Sequence, residues 1–219
     1  MKKMIAFVAV LAVASYASAE SVNINNFSFE EPVLDPGGWT NTYPDWAPPE
    51  NSGDAFVEYI DGFSSDGNQH IGLANQAIVA QGLGIELSPN TTYELTVAVG
   101  NRNGSFTPTD GTQASTFGLS IPNTADVDCW LPPGCWSIVH ETVDAGPLGP
   151  STFADFSLTY TTTNEVQPGE LLVVLENTGN GRSHFDNIRL TATAIPEPSS
   201  LVLLALSGLA LGALRRRRR

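Results

Sequence analysis

The central part of this chain, residues 20–194, repeatedly alternates apolar and polar side chains with a period of two. Clusters of Asn, Gly, Pro and Asp separate these segments, and no stretch keeps a helical period over three turns. A period of two gives a strand one apolar and one polar face, so each segment is predicted to be a strand. The clearest cases are residues 93–99, 117–121, 156–160 and the apolar run 171–175. The sequence predicts an all-β fold, an antiparallel β-sandwich of about eight or nine short strands.

The charges within this central part are almost all negative. Arg102, Arg182 and Arg189 stand against 22 carboxylates, a net charge of -19, and the segment contains no lysine. A surface of this sign repels phosphate backbones and anionic membranes. We therefore expect no nucleic-acid partner, and polyanionic substrates are disfavoured unless a cation bridges them.

The first residues have the three parts of a secretory signal peptide. Lys2 and Lys3 precede an apolar run over residues 4–13, and Ala17-Ser18-Ala19 has the small-x-small pattern of a cleavage site. A membrane anchor is the alternative, but the apolar run is too short to span a bilayer. We predict a leader over residues 1–19, removed after Ala19 by signal peptidase.

The last residues, 195–219, form a second targeting segment. Pro196, Glu197 and Pro198 precede an uncharged stretch, residues 199–214, which runs into five arginines, Arg215–Arg219. Sixteen residues of helix measure about 24 Å, so a single hydrophobic helix here crosses a membrane only with thinning or snorkelling. The positive-inside rule keeps the arginines in the cytoplasm and leaves the domain outside, as the leader requires.

The tripeptide, the apolar helix and the arginine cluster, in this order, resemble the PEP-CTERM sorting signal of Gram-negative bacteria. The resemblance implies that an exosortase, a membrane-embedded transpeptidase, acts near Pro196-Glu197-Pro198. It also implies transient anchoring in the inner membrane, removal of the tail and delivery to the cell surface or the extracellular matrix. The alternative is a plain single-span anchor with a stop-transfer arginine cluster.

Several short motifs between the two ends resemble galactose-binding-like jelly rolls. They are Asn26–Glu30, Gly37-Gly38-Trp39, Leu87–Tyr93 and Phe185–Leu190, which would open, continue and close the fold. The resemblance implies that residues 20–194 form one jelly roll. Many carbohydrate-binding modules share that fold, although a fold does not fix a function.

The same resemblance implies a structural calcium site. In galactose-binding-like modules a Glu near the first strand and an Asp on the last strand often help to hold Ca²⁺, and the matching residues here are Glu30 and Asp186. Asp186 shares the parity of Ile188 and Leu190, so we expect it to face the core, where a carboxylate needs a partner. Calcium prefers six to eight oxygen ligands, which carboxylates and loop carbonyls supply. The alternative is that Asp186 caps a turn or pairs with an arginine.

A Gly- and Pro-rich loop, residues 37–49, concentrates three aromatic side chains. Trp39, Tyr43 and Trp46 could stack on the apolar faces of sugar rings, while Asn41 and Asp45 bond the hydroxyls. The alternative is that these aromatics close the open end of the core.

Four other polar positions are candidate sites. Arg102 follows a strand and is predicted either to bond a ligand or to form a salt bridge. Cys129 and Cys135, an even count in an exported chain, predict one disulfide. His184 lies beside Asp186 and could ligate a metal, although single histidines on strands are mostly structural.

Three classes of function fit these observations. The first is a non-catalytic surface or matrix protein that binds a polysaccharide or another envelope component, which is the function we expect. The second is an enzyme, with a glycoside hydrolase as the most plausible kind because it needs only a pair of carboxylates. The third is a structural or adhesive protein without a small ligand. The domain has no GxSxG, HExxH or Gly-rich phosphate loop, so we expect no catalytic activity.

Overall fold

The computed structural model describes residues 18–48, 53–102, 113–121, 136–149 and 151–195. Cys129, Cys135, Pro196, Glu197 and Pro198 lie outside these ranges, as do most of the leader and the apolar segment 199–214. No helix of a length and hydropathy sufficient to cross a bilayer occurs among the residues described.

Eleven strands make up the described part of the chain, where about eight or nine were predicted. The additional strands include two short ones near the start, one of four residues and one of two. The strands are β1 Ala19–Val22, β2 Trp39–Thr40, β3 Asp54–Tyr59, β4 Gln69–Ala74, β5 Ile78–Glu86, β6 Thr91–Asn101, β7 Ala114–Ile121, β8 Trp136–Asp144, β9 Thr152–Thr161, β10 Glu170–Asn177 and β11 Ser183–Ala194.

These strands form two antiparallel sheets. The seven-stranded sheet has the order β2-β3-β4-β11-β6-β9, with β1 paired to the far end of β11. The four-stranded sheet has the order β5-β10-β7-β8. The described residues therefore confirm the predicted all-β antiparallel sandwich.

The core lies between the sheets and follows the predicted alternation. In β6, Tyr93, Leu95, Val97 and Val99 are all buried, and the facing sheet contributes apolar residues such as Leu171, Val173 and Leu175. Residues directly opposite on neighbouring strands share a face. Val57, Ile71, Phe185 and Val99 are such a set, and all four lie in the core. The intervening residues of β3, β4, β11 and β6 consequently lie on the outer face of the larger sheet.

The parity predicted for Asp186 is wrong. Asn187 has a left-handed backbone, with φ of 48°, and the pairing of β11 with β6 shifts register between Asp186 and Arg189. Such a bulge inserts one residue and reverses the faces that follow it. Asp186 therefore lies opposite Ala98 on the outer side, while Ile188 and Leu190 enter the core. The carboxyl group is nevertheless fully buried.

Candidate functional site

One row of residues crosses the outer face of the larger sheet and contains two glycines. Phe56, Gly72, His184, Gly100 and Phe153 are consecutive cross-strand neighbours on β3, β4, β11, β6 and β9. A Cβ atom at Gly72 would lie 2.5 Å from the ring of Phe56, and one at Gly100 would lie 2.6 Å from the ring of Phe153. The glycines thus make room for two aromatic rings on either side of His184.

A buried polar cluster lies beside this row. The Glu58 carboxylate on β3 accepts a hydrogen bond from Arg102, whose Nη1 lies 3.1 Å from Oε1 and 3.0 Å from Oε2. The same Oε1 lies 3.2 Å from Nε2 of His70 and 3.6 Å from Nδ1 of His184. Glu58 and both histidines are under a tenth exposed. Three ionisable side chains, from β4, β11 and the residue after β6, therefore share the one carboxylate of Glu58 on β3.

Aromatic rings surround the two histidines. Phe63, in the β3–β4 loop, packs edge-on against His70 at 4.8 Å and His184 at 5.5 Å, and the two imidazole rings lie 5.2 Å apart. Burial, followed by the charges of His70, Arg102 and Arg182, lowers the pKa of His184 well below its ordinary value. His184 is therefore a neutral imidazole at physiological pH.

A cavity of about 890 Å³ opens on the same face, next to the polar cluster. Glu58 and Arg102 form part of its wall, together with Asp54, Asp61 and the amides of Asn75 and Asn180. Arg182 also lines it and stacks over the ring of Phe56 at 4.9 Å. The cavity thus gathers two of the three arginines in residues 20–194, although that segment is strongly acidic.

Three of the five predicted ligand-binding residues line this cavity: Trp39, Asn41 and Arg102. Trp39 is 67% exposed, because β2 pairs with β3 so that Trp39 lies opposite Glu58 and shares its outward face. Arg102 also forms the salt bridge that the sequence left open as its alternative role.

The structure places the other two elsewhere. Trp46 is 5% exposed, packs on Phe29 with ring centroids 5.3 Å apart, and donates from Nε1 to the Asn26 carbonyl at 3.3 Å. Tyr43 is half-buried against the core, and burial raises the pKa of its hydroxyl group. Trp46 and Tyr43 therefore pack against the core, as the alternative interpretation of this loop predicts.

The two predicted calcium ligands hold opposite sides of one loop, residues 60–68, between β3 and β4. Oδ2 of Asp186 accepts hydrogen bonds from the backbone N–H groups of Ser65 at 2.6 Å and Asp66 at 2.9 Å. Oε1 of Glu30 accepts from the N–H groups of Asn68 and Gln69, both at 2.7 Å. The two carboxylates therefore act as caps of the loop that also carries Phe63.

The two caps differ in exposure, because Asp186 is buried and Glu30 is only half-buried. Burial raises the pKa of Asp186 to about 7, although the hydrogen bonds from three backbone N–H groups oppose the shift. Gly67 has φ of 65°, and a Cβ there would collide with the Glu30 carboxylate. The loop thus accommodates Glu30 only because position 67 is glycine.

Sequence reasoning missed Glu58, His70 and Arg182 as site residues. The only available signal was parity: His70 and His184 each precede a buried core residue, Ile71 and Phe185, and so belong to the outer face. The pairing of β11 with β4 brings His184 next to His70, although the two strands are more than 100 residues apart in the chain.

Comparison with protein families gives two matches that together cover nearly the whole chain. Residues 18–191 match the HpiC1-like family, described as HpiC1 cyclase. Residues 194–219 match the PEP-CTERM protein-sorting motif, which confirms the resemblance seen in the tail. No curated protein matches the chain significantly.

Comparison with solved structures finds cyclases and carbohydrate-binding modules. A cyclase from Fischerella sp. TAU has a TM-score of 0.65 and 25% identity over 80% of this chain and 98% of the cyclase. A crystal structure of the cyclase with 4-(1H-indol-3-yl)butan-2-one matches with a TM-score of 0.63 and 24% identity, over 79% of this chain and 97% of the cyclase. The CBM22-1 xylan-binding domain of Xyn10C from Paenibacillus barcinonensis has a TM-score of 0.52 and 14% identity, over 83% and 99% of the two chains. At that identity the last likeness concerns the fold alone.

Proposed function

The chain belongs to the HpiC1-like cyclase family, and we propose that it acts as an exported binding protein that holds a polysaccharide of the cell envelope or matrix in the cavity beside Trp39. The sorting motif indicates a protein that is exported, directed to the envelope and processed by an exosortase. The proposal has three finer parts. Signal peptidase removes residues 1–19, and residues 20–194 form one folded domain. Residues 195–219 anchor the chain transiently in the inner membrane of a Gram-negative bacterium.

The observation that carries the proposal is the exposed indole of Trp39 in a cavity that asparagine and arginine side chains also line. An unpartnered indole is costly to present to water, and a flat ring of this kind stacks on the apolar face of a sugar. Asn41, Asn75 and Asn180 line the same cavity and offer amide groups for sugar hydroxyls. A domain of the same fold is a xylan-binding module, so this fold can carry a polysaccharide site.

The charged side chains of the cavity further restrict the class of polysaccharide that can bind. Glu58 holds Arg102, and Arg182 stacks on Phe56, so both guanidinium groups are fixed within a surface that is otherwise acidic. A neutral polysaccharide avoids repulsion from the carboxylates and still finds hydrogen-bond donors in the arginines. We therefore place neutral oligosaccharides first among the ligands to test.

The test compares Trp39→Ala with Val33→Ala in titrations with a panel of neutral oligosaccharides, followed by calorimetry. Val33 is 88% exposed and does not line the cavity, so its truncation controls for the loss of an exposed apolar side chain. Loss of a central aromatic contact costs about 2 kcal/mol, which weakens binding about 30-fold. Equal affinities in the two variants, or no binding of any oligosaccharide by the wild-type protein, would refute the proposal.

A second candidate function is cyclase-type catalysis. It is favoured by family membership, by the cyclase that matches over 98% of its length, and by the Glu58 carboxylate in the cavity wall. A carboxylate in the wall of a cavity can act as a general base and accept a proton from a bound substrate. The probe is 4-(1H-indol-3-yl)butan-2-one: binding that depends on Trp39, with no binding of oligosaccharides, would favour this candidate over the first. Release of reducing sugars from neutral polysaccharides would instead indicate a glycoside hydrolase.

The proposal includes Ca²⁺ as a structural ion at the loop of residues 60–68. The donors fit, because Glu30 and Asp186 offer carboxylate oxygens on the two sides of one loop, and Ca²⁺ prefers oxygen ligands. A carboxylate has about four lone-pair sites, so hydrogen bonds from the backbone leave some for a cation. Bound Ca²⁺ would neutralise the charge of the buried Asp186. It would also fix the loop of residues 60–68 to Glu30 and to β11.

A further inference from the structure

We propose that Glu58, His70 and His184 form a buried binding site for a divalent transition-metal ion of the zinc class. The site is separate from the calcium ligands and does not depend on the polysaccharide ligand. Two imidazoles and one carboxylate are a donor set typical of zinc, whereas calcium and magnesium prefer oxygen alone.

The spacing of the three donor atoms matches what a tetrahedral ion requires. Zinc binds imidazole nitrogen and carboxylate oxygen at about 2.0–2.2 Å, which places neighbouring ligand atoms about 3.4 Å apart. Oε1 of Glu58 lies 3.2 Å from Nε2 of His70 and 3.6 Å from Nδ1 of His184. All three atoms lie within 4.8 Å of one another. An ion can therefore be accommodated between them with only small side-chain movements.

The second, independent observation is an unsatisfied nitrogen. Nδ1 of His184 is buried and has no hydrogen-bond partner, although it points at the Glu58 carboxylate from 3.6 Å. Buried polar atoms in folded proteins nearly always have a partner, so an unpaired one calls for an explanation. A metal ion between His184 and Glu58 would supply that partner.

The surroundings are those of a supported metal site. Ligating carboxylates are usually held by outer hydrogen bonds, and Arg102 donates to both oxygens of Glu58, at 3.0 Å to Oε2 and 3.1 Å to Oε1, while Oε1 also faces the two histidines. Phe63 and Phe153 cover the imidazoles and exclude solvent. Glu58 also lines the cavity, so an ion reaches the site from that side. The net charge of -19 in residues 20–194 raises the local concentration of cations.

The test uses the exported protein without a polyhistidine tag and with its cysteines oxidised. The buffer contains enough Ca²⁺ to fill the proposed calcium site. Titration with Zn²⁺ should show one bound ion per chain, and Co²⁺ should give the visible absorption of a four-coordinate site without a sulfur charge-transfer band. His70→Gln and His184→Gln should each weaken Zn²⁺ binding by at least about 100-fold, since loss of a ligand exceeds the loss of an outer partner. His140→Gln is the matched control, because His140 is exposed on β8 of the other sheet.

A readout on the wild-type protein keeps the test valid if a variant fails to fold. The chain has only three histidines, so their side-chain NMR signals are readily assigned. Zinc should shift the ring signals of His70 and His184 and leave those of His140 in place. No stoichiometric binding, equal affinity in the His140 and His184 variants, or a shift of His140 alone would overturn the proposal. Because Zn²⁺ is the probe, these outcomes are independent of whether any polysaccharide binds.

Discussion

The ion pair between Glu58 and Arg102 can be tested against a second pair on the same sheet. Arg189 and Asp155 are only 2.6 Å apart, but their side chains are 44% and 51% exposed. Glu58 and Arg102 are 3.0 Å apart, with side chains 9% and 20% exposed. Distance alone would rank the exposed pair as the stronger one, whereas burial predicts the opposite.

We expect Glu58→Gln to lower the free energy of unfolding by about 3 kcal/mol. Removal of one partner from a buried pair costs about 3–5 kcal/mol because the other charge loses its counterion, and the partial exposure of Arg102 places this case at the low end. In a domain of this size, that corresponds to a melting temperature lower by about 6–12 °C. Asp155→Asn should cost less than about 1 kcal/mol, as exposed pairs do.

The assay is urea denaturation of both single variants and both double-mutant cycles, in buffer freed of transition metals. The cycle of Glu58→Gln and Arg102→Gln should show a coupling energy of at least about 1.5 kcal/mol, while Asp155→Asn with Arg189→Gln should be additive to within about 0.5 kcal/mol. Added salt should reduce only the effect of the exposed pair. Equal costs for the two pairs, or an additive cycle for Glu58 and Arg102, would refute the reasoning.

Three further predictions concern the loop, the smaller sheet and the tail. Chelation of Ca²⁺ should lower the melting temperature of the wild-type protein and leave that of Asp186→Asn unchanged; an insensitive wild type would remove the calcium site. Burial raises the pKa of Glu176 against the opposing charge of His140, so its contribution to stability falls as the pH rises through the folded-state pKa. Glu176→Gln should therefore be more stable than wild type at neutral pH and equal to it at acidic pH, which melts across the pH range will show. Mass spectrometry of the mature surface protein should find residues 215–219 absent, and an intact arginine cluster would contradict exosortase processing.

The fold was predictable because burial of one sheet face imposes a period of two that can be seen without the structure. The residues Tyr93, Leu95, Val97 and Val99 alternate for that reason, and all four are buried. The bulge at Asn187 was not predictable in the same way. One residue in a left-handed conformation reverses the parity of β11; Asp and Asn are uncommon in strands and Asn tolerates this conformation, but their presence alone does not indicate which residue is inserted.

The candidate site was predictable only where local sequence decides position. Trp39 and Trp46 lie in one loop with the same composition, yet pairing of Trp39 opposite Glu58 turns it outward, while the bridge of Ala47 with Ala80 brings Trp46 onto the core. The polar cluster combines the consecutive strands β3 and β4 with β11 and the end of β6, which lie later in the chain. Period and composition report which face a residue occupies but not which other strand lies beside it.

The position of β11 also determines when the domain can be completed. It is the last strand of the described residues, yet it lies between β4 and β6 in the interior of the larger sheet. In a chain exported N-terminus first, β4 and β6 therefore gain their second neighbour only when the final segment arrives, and until then each leaves one hydrogen-bonding edge bare. Only Ile195 separates β11 from Pro196, the first residue of the Pro-Glu-Pro tripeptide. An enzyme that recognises this tripeptide therefore acts on a chain whose strand β11 has only just been exported. Assembly of the domain is thereby tied to the completion of export, and polypeptides that end before Ser183 lack the strand that covers these edges, which exposes them to aggregation and proteolysis.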